Sequence, residues 1–216
     1  MREILPGVHH WETLHPAIEV FVSSYWLEDG GVLLDPLIPE DVGIDWFANR
    51  PHEPATVILT NRHHLRESVI FRETFGCQIL CNDAGLWEFT EGEPVEGFEP
   101  PATLPGDVTA LALGGICPDD TVLHVASKSA LAFADGIVRG GPHAGDGGDG
   151  VLGFVPDSLM DDPPATKRAL LEGLERLLEQ VEFENVLLAH GAPLVGDGRE
   201  RVQELVAAGG RTAFEL

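Results

Sequence analysis

Hydrophobic residues recur along the chain in short runs whose spacing changes from one segment to the next. Residues 18–27 are rich in β-branched and aromatic side chains, and residues 32–36 form a second apolar run. Between them, the Glu-Asp-Gly-Gly stretch at 28–31 supplies a turn that tolerates positive φ. The pattern therefore predicts a hairpin of two sheet strands. Residues 41–49 then predict a short helix with Asp41 as its cap.

Strand-like and helix-like segments alternate in the next part of the chain. Residues 55–60 are an apolar run that predicts a buried strand, and residues 67–75 predict a helix that ends at Gly76. A further strand is predicted at 78–81. Strand, helix and strand in this order favour layered α/β packing with some parallel pairing. Residues 90–105 are dense in Gly, Pro and Glu, which predicts a surface loop or a crossing between two halves.

The second half of the chain shows the same alternation. Its predicted strands are 108–113, 121–125, 130–134 and 186–189. Leucines at helical spacing predict a long helix at 163–180 that Asp162 can cap, and a last helix is predicted at 199–208. Residues 136–153 are too glycine-rich for regular structure, and no Gly-Lys-Ser/Thr follows that would make them a phosphate loop. They are predicted to form an irregular loop.

The composition limits how large the hydrophobic core can be and indicates the cellular compartment. A chain of 216 residues that is 44% apolar can bury one sizeable core. We therefore expect a single domain over 1–216 with two halves, about 1–100 and 101–216. No apolar run approaches the roughly 18 residues of a membrane helix, and the first residues lack the apolar centre of a secretory signal. Three cysteines in apolar segments fit a reducing compartment, so we expect a soluble cytoplasmic protein without a membrane partner.

The charge of the chain narrows the choice of partner. The formal net charge is -23, from 36 acidic and 13 basic residues. Such a surface repels phosphate backbones, which excludes nucleic acid as the expected partner. A small-molecule ligand or substrate is expected instead, and a homo-oligomer stays possible.

Three predicted strands end in polar residues with metal-binding chemistry, and a rigid sheet can hold ligands at such positions. These ends are Thr60-Asn61-Arg62-His63-His64-Leu65-Arg66, Leu131-Ala132-Phe133-Ala134-Asp135 and Val186-Leu187-Leu188-Ala189-His190-Gly191. In order and spacing, with the hairpin ending in Leu34-Asp35-Pro36, they resemble the metallo-β-lactamase superfamily over nearly the whole chain. That resemblance implies an α/β (α+β) fold, an αββα sandwich of two mixed sheets with helices on the outer faces.

The resemblance also implies a set of metal ligands, which this chain keeps in part. The superfamily has Thr-His-x-His-x-Asp-His at the first strand end; in that register His63 keeps its type. Other residue types replace the remaining ligands: Asn61, Leu65, Arg66 and, in the Gly115–Asp119 turn, Ile116. By the resemblance His63 would serve one ion, His190 the other and Asp135 both. Neither ion then has a full ligand set, so no dinuclear centre is expected.

Two constellations can still be built from these residues. His63, Asp135 and His190 would give two histidines and one carboxylate, enough for a single zinc or ferrous ion. Alternatively the site holds no metal, and Arg66 pairs with Asp135 across it. His64 is a possible substitute ligand if the loop turns it inward. The expected pocket residues are Asn61, His64, Arg66, Ile116 and Cys117.

The sequence thus predicts a hydrolase-like protein with a degraded metal centre, catalytically silent or with one weakly bound metal. If it is active, the resemblance implies metal-dependent hydrolysis of an ester, thioester, amide or phosphodiester. The alternative is a non-enzymatic binding module in which Arg66 or Arg62 holds a small anionic ligand in the former active-site pocket. Both hypotheses place His63, Asp135 and His190 in one pocket.

Overall fold

The computed structural model describes residues 1–140 and 150–213, and its first half forms a mixed seven-stranded sheet. The strands are β1 (Arg2–Leu5), β2 (Val8–His15), β3 (Val20–Leu27), β4 (Val32–Leu34), β5 (Thr56–Ile58), β6 (Gln78–Asn82) and β7 (Val95–Phe98). They lie in the sheet in chain order. Strands β1 to β4 pair antiparallel, and β4 to β7 pair parallel. The carboxyl ends of β4 and β5 therefore lie side by side.

A second mixed sheet and a short ribbon follow. Their strands are β8 (Ala102–Leu104), β9 (Val108–Ala112), β10 (Thr121–Val125), β11 (Ala130–Phe133), β12 (Val138–Gly140), β13 (Val151–Gly153) and β14 (Asn185–Leu188). Five of them form the sheet in the order β14-β11-β10-β9-β8, and β12 pairs with β13. Strands β11 and β14 are parallel, so their carboxyl ends also lie side by side.

The described α-helices are α1 (Ser68–Phe75), α2 (Pro163–Gln180) and α3 (Gly198–Ala207). Each starts and ends within one residue of the prediction. Helix α1 ends at Gly76, whose φ is 74°, and the Asp162 carboxylate accepts a hydrogen bond from Ala165 N at 3.0 Å at the start of α2. None of the helices in residues 1–140 and 150–213 is long and apolar enough to cross a membrane.

Successive side chains on a strand point to opposite faces of its sheet, and the apolar ones form three layers. On β3, Tyr25 and Leu27 face the space between the sheets while Trp26 faces α1. On β11, Ala132 faces the space between the sheets while Phe133 packs under α2 and α3. Helices therefore cover the outer face of each sheet, and the predicted αββα sandwich of two mixed sheets is confirmed.

Several segments differ from the prediction. Residues 90–105 contain β7 and β8, because pairing with β6 and β9 gives them a partner that their own composition does not reveal. Residues 136–153 contain the ribbon of β12 and β13; positions 141–149, including His143, lie outside the described residues. The helix predicted at 41–49 is a 3₁₀ helix, Ile44–Asn49. Strands β1 and β2 were not predicted.

Candidate metal centre

The site forms where the strand ends of the two sheets meet. Asp35 directly follows β4, Asn61 follows β5 by three residues, and Asp135 and His190 follow β11 and β14 by two residues each. Hydrogen bonds between the halves hold this edge closed, among them Ser23 N to Ala189 O at 2.8 Å, Tyr25 Oη to Leu188 O at 2.9 Å and Thr121 N to Thr60 O at 3.0 Å. Residues far apart in sequence thus share one small volume.

A group of three potential metal ligands lies at this edge: His64, Asp135 and His190. Each residue offers one ligand atom, and these atoms all lie within 4.8 Å of one another. Asp135 Oδ1 lies 3.5 Å from His64 Nε2 and 3.1 Å from His190 Nε2. The His64 side chain is buried, with 5% exposed, whereas 21% of His190 is exposed. The cluster therefore opens to solvent on the side of His190.

His63 is not part of this group, which corrects the position expected from the sequence. Residues Arg62–His64 form a single 3₁₀ turn, and the Asn61 side chain caps it by accepting a hydrogen bond from His63 N at 3.0 Å. The tight turn ends the strand alternation, so His63 is exposed and His64 is buried. Asn61 Nδ2 also donates to Asp135 Oδ2 at 2.6 Å. Of the three residues predicted to share a pocket, the structure brings only Asp135 and His190 together, with His64 in place of His63.

Asp35 orients His64 from the buried side. Its Oδ2 lies 3.0 Å from His64 Nδ1, and its two oxygens accept hydrogen bonds from Thr60 N at 2.8 Å and Thr60 Oγ1 at 2.5 Å. A carboxylate on the far nitrogen of a histidine fixes its ring and leaves Nε2 directed at the site. The sequence pattern places Asp35 at the end of the predicted hairpin but gives it no role. Its position after a buried parallel strand, beside Asn61, is the signal that could have identified it.

The electrostatics of the site are dominated by buried carboxylates. Burial lowers the pKa of His64, but Asp35 and Asp135 on either side raise it to about 9. Burial raises the pKa of Asp135, yet His64 and His190 hold it well below its usual range. Burial and the nearby Asp135 raise the pKa of Asp120 well above its usual range. At neutral pH the site therefore contains ionised Asp35 and Asp135 and a protonated His64, and Asp120 beside them holds its proton more tightly than an ordinary carboxyl group.

Arg66 does not pair with Asp135 as the metal-free hypothesis predicted. Its Nη1 donates to two backbone carbonyls, Ser23 O at 2.7 Å and Asp35 O at 2.6 Å. The φ of Arg66 is 44°, a conformation in which the buried guanidinium reaches back to β3 and β4. The hydrogen-bond donors to Asp135 are instead Asn61 and His190, together with His64.

The remaining expected pocket residues lie at the edges of the site. Ile116 is half-buried and packs against the apolar core under α2, which removes it from the ligand cluster. Cys117 is half-buried, and burial raises the pKa of its thiol. A thiol that keeps its proton is a poor metal ligand. Arg62 forms ion pairs with Asp119 and with Glu88.

The residues that directly follow Asp135 and His190 are glycines, and at both positions a side chain would collide with neighbouring atoms. A Cβ on Gly191, which has a φ of 95°, would lie 2.1 Å from Arg139 O. A Cβ on Gly136 would lie 2.2 Å from Leu113 Cδ2. The backbone can therefore take its observed path after Asp135 and His190 because the next residue is glycine in both cases.

Comparisons with known proteins agree with this architecture. No family model and no curated protein matches the sequence. Among solved structures, the DIM-1 metallo-β-lactamase is 14% identical with a TM-score of 0.69, and 95% of each chain is covered. The metallo-β-lactamase from Hirschia baltica is 18% identical with a TM-score of 0.66, and 96% of each chain is covered. TTHA1623, solved in a di-iron-bound form, is 20% identical with a TM-score of 0.61, over 86% of this chain and 94% of that one. Likeness at these identities shows the fold alone.

Proposed function

We propose that this chain, which has the metallo-β-lactamase fold, is a hydrolase-like protein whose metal centre is reduced to one site of three ligands, His64, Asp135 and His190. The observation that carries the proposal is the convergence of their ligand atoms within 4.8 Å. Two imidazoles and one carboxylate suit a single zinc or ferrous ion. A bound ion would act as a Lewis acid and lower the pKa of a coordinated water.

The residues around the cluster support a weak single site. Asp35 holds the His64 ring through Nδ1, so that Nε2 is directed towards Asp135. With a pKa of about 9, His64 must release a proton before Nε2 can serve as a ligand. At neutral pH this proton competes with the metal ion for Nε2 and lowers the apparent affinity for metal. Weak binding of one ion follows from this arrangement.

The positions that would supply further ligands support a single ion over a pair. The Asn61 amide donates a hydrogen bond to Asp135 and accepts one from His63 N, and Leu65 has no atom that can ligate a metal. Ile116 packs in the core, and Arg66 brings a permanent positive charge. Within residues 1–140 and 150–213 a second group of this kind is not found.

His190 marks the side from which a substrate would reach the cluster. It is the most exposed imidazole of the cluster, and Asp135 Oδ1 lies 3.1 Å from its Nε2. The carboxylate therefore orients the ring at the open side of the cluster. We propose a small hydrolysable substrate, an ester, thioester, amide or phosphodiester, that enters on the side of His190. Nucleic acid is disfavoured by the net charge of -23. A cytoplasmic location and homo-oligomer formation stay predictions.

Metal analysis of variants tests the proposal. Purified protein is equilibrated with Zn²⁺ or, without oxygen, Fe²⁺, and bound metal is measured by elemental analysis and calorimetry. We expect about one equivalent in the wild type, none in His64→Ala or His190→Ala, and wild-type binding in His63→Ala, whose histidine is exposed. Binding that survives His64→Ala but is lost in His63→Ala would overturn the ligand set, and two tightly held ions would overturn the single site.

A second candidate function rests on Arg66. Its Nη2 is buried and has no hydrogen-bond partner among the described residues, so an anionic ligand could use it. Arg62 is disfavoured in this role because its charge is already used on Asp119 and Glu88. Calorimetry of the metal-free protein with phosphate or acetate separates the two functions. If the wild type takes up no metal but binds phosphate or acetate, and Arg66→Ala loses that binding, the result would favour the binding module.

A further inference from the structure

The Asp119 carboxylate, from the second half of the chain, accepts hydrogen bonds from the turn that carries His64. Asp119 lies on the loop between β9 and β10, and its side chain is fully buried. Its Oδ2 accepts a hydrogen bond from Arg62 N at 2.7 Å, and its Oδ1 accepts one from Arg62 Nη1. Both the backbone and the side chain of the first residue of the turn are therefore fixed by a residue 57 positions away.

The surroundings of this pair exclude water and leave it little freedom. A Cβ on Gly85 would lie 2.7 Å from Asp119 Oδ2, so the backbone there packs directly against the carboxylate. The Trp87 ring centre lies 5.0 Å from the Arg62 guanidinium, and Glu88 lies 3.6 Å from Arg62 Nε. A buried ion pair rarely adds net stability over apolar packing, because desolvation offsets the attraction. Stability alone therefore does not account for the pair.

The direction in which His63 and His64 point depends on the conformation of this turn. A single 3₁₀ turn is too short to hold its shape without outside contacts. Continued strand geometry would direct neighbouring side chains to opposite faces, and His63 could then face the site. We propose that Asp119 is a positioning residue that holds the turn so that His64 faces Asp135 and His63 faces solvent. This inference rests on the proposed function, because it assigns a purpose to the orientation of His64.

The test measures the orientation of His64 without metal and then the affinity for metal. In metal-free protein with ¹⁵N-labelled histidine, the Nδ1 proton of His64, which is held between Asp35 Oδ2 at 3.0 Å and Thr60 Oγ1 at 2.9 Å, should give a downfield NMR signal that exchanges slowly with water. We expect Asp119→Ala to fold, as judged by circular dichroism, but to lose this signal. Its affinity for Zn²⁺ should fall by about tenfold or more, the usual effect of removing an orienting partner. Glu88→Gln, which breaks only the exposed ion pair of Arg62, should keep the signal and the affinity.

Two further variants sharpen the result. Arg62→Met keeps the backbone N–H that Asp119 accepts and should lose less affinity than Asp119→Ala. If Asp119→Ala does not fold, Asp119→Asn, which keeps the shape and one acceptor oxygen, decides: a weaker signal or affinity supports the inference, and wild-type values overturn it. A folded Asp119→Ala with the wild-type signal and affinity also overturns it. If the wild type binds no metal and the signal still depends on Asp119, the proposed function fails while the positioning role stands.

Discussion

At the scale of single residues, the site is a balance of buried charges. Asp35 and Asp135 are ionised, and the imidazolium of His64 and the guanidinium of Arg66 lie beside them. Each carboxylate accepts hydrogen bonds from more than one donor, which offsets part of the cost of burial. His64, with a pKa of about 9, changes its charge within the pH range in which the protein can be studied, so pH should reveal its contribution.

The metal-free protein should lose stability as pH rises from about 6.5 to about 9. The pKa of His64 is raised from 6.5 in the unfolded chain to about 9 in the fold. Its contribution is therefore complete below pH 6.5 and disappears as pH passes the higher value; the shift corresponds to about 3 kcal/mol. Urea unfolding at several pH values measures this, and the slope should be absent in His64→Gln and present in His63→Gln. A wild-type slope in His64→Gln would assign the effect elsewhere.

Removing the guanidinium of Arg66 should be costly for a different reason than the sequence suggested. Its hydrogen bonds go to Ser23 O and Asp35 O, and both carbonyls lose this buried donor in Arg66→Ala, although Asp35 O keeps the hydrogen bond from Ser24 Oγ at 2.8 Å. We expect the free energy of unfolding to fall by about 3 to 5 kcal/mol. Adding Asp135→Ala should recover little, because that carboxylate is not its hydrogen-bond partner. The exposed Arg168→Ala is the matched control and should change stability by less than about 0.5 kcal/mol. Substantial recovery in the double variant would contradict the geometry.

At the scale of elements, β3 joins the two sheets beside the site. The Tyr25 hydroxyl donates to Leu188 O and accepts from Leu188 N, both at 2.9 Å, at the end of β14. Ser23 N donates to Ala189 O, and Ser23 Oγ donates to Gly191 O at 3.0 Å. Strand β14 is the edge of its sheet, so these bonds satisfy backbone groups that lack a neighbouring strand there. They also fix the chain on both sides of His190.

Tyr25→Phe should lower the free energy of unfolding by about 1 to 3 kcal/mol, because Leu188 N and O then lose their buried partner. Tyr25 is the single tyrosine of the chain, and burial raises its pKa above the usual value. The tyrosinate absorbance of the folded protein should therefore stay low at pH 10, where the urea-unfolded chain, as the control, is about half ionised. Equal titration of the folded and unfolded protein would contradict the burial of this hydroxyl.

At the scale of the whole molecule, charge repulsion opposes compactness. A net charge of -23 on 216 residues places like charges close together over the surface. Exposed ion pairs such as Arg201 with Asp197 and Glu204 relieve only a small part of it. At 0.1 M salt, repulsion between exposed charges that are more than about 10 Å apart is largely screened.

The melting temperature should accordingly rise with ionic strength from about 0.01 M to about 0.5 M, where screening is nearly complete. Calorimetry in NaCl and in KCl measures it, and equal curves in the two salts identify screening rather than binding of one cation. A melting temperature that is flat or falls with salt would show that the surface charges do not limit stability.

The sequence by itself determined the elements whose signals are local. Helices α1 and α2 are marked by apolar spacing, by Gly76 and by the Asp162 cap, and those interactions act within a few residues. The strand ends at Asp135 and His190 also show a local pattern, an apolar run that stops in a polar residue, and their resemblance to the metal-binding strand ends of the metallo-β-lactamase superfamily marked them as candidate ligands. These signals sufficed for layered α/β packing, and with the resemblance to the metallo-β-lactamase superfamily they gave the sandwich fold and two residues of the site.

Only the tertiary structure decided which histidine completes the site. The choice between His63 and His64 depends on Asn61 as a cap and on Asp119, which reaches the turn from the other half of the chain. The role of Asp35 likewise depends on the parallel pairing of β4 with β5. Neighbouring residues in a short turn have nearly equal local preferences, so contacts between distant segments select one orientation. Such contacts exist only after the two sheets have packed.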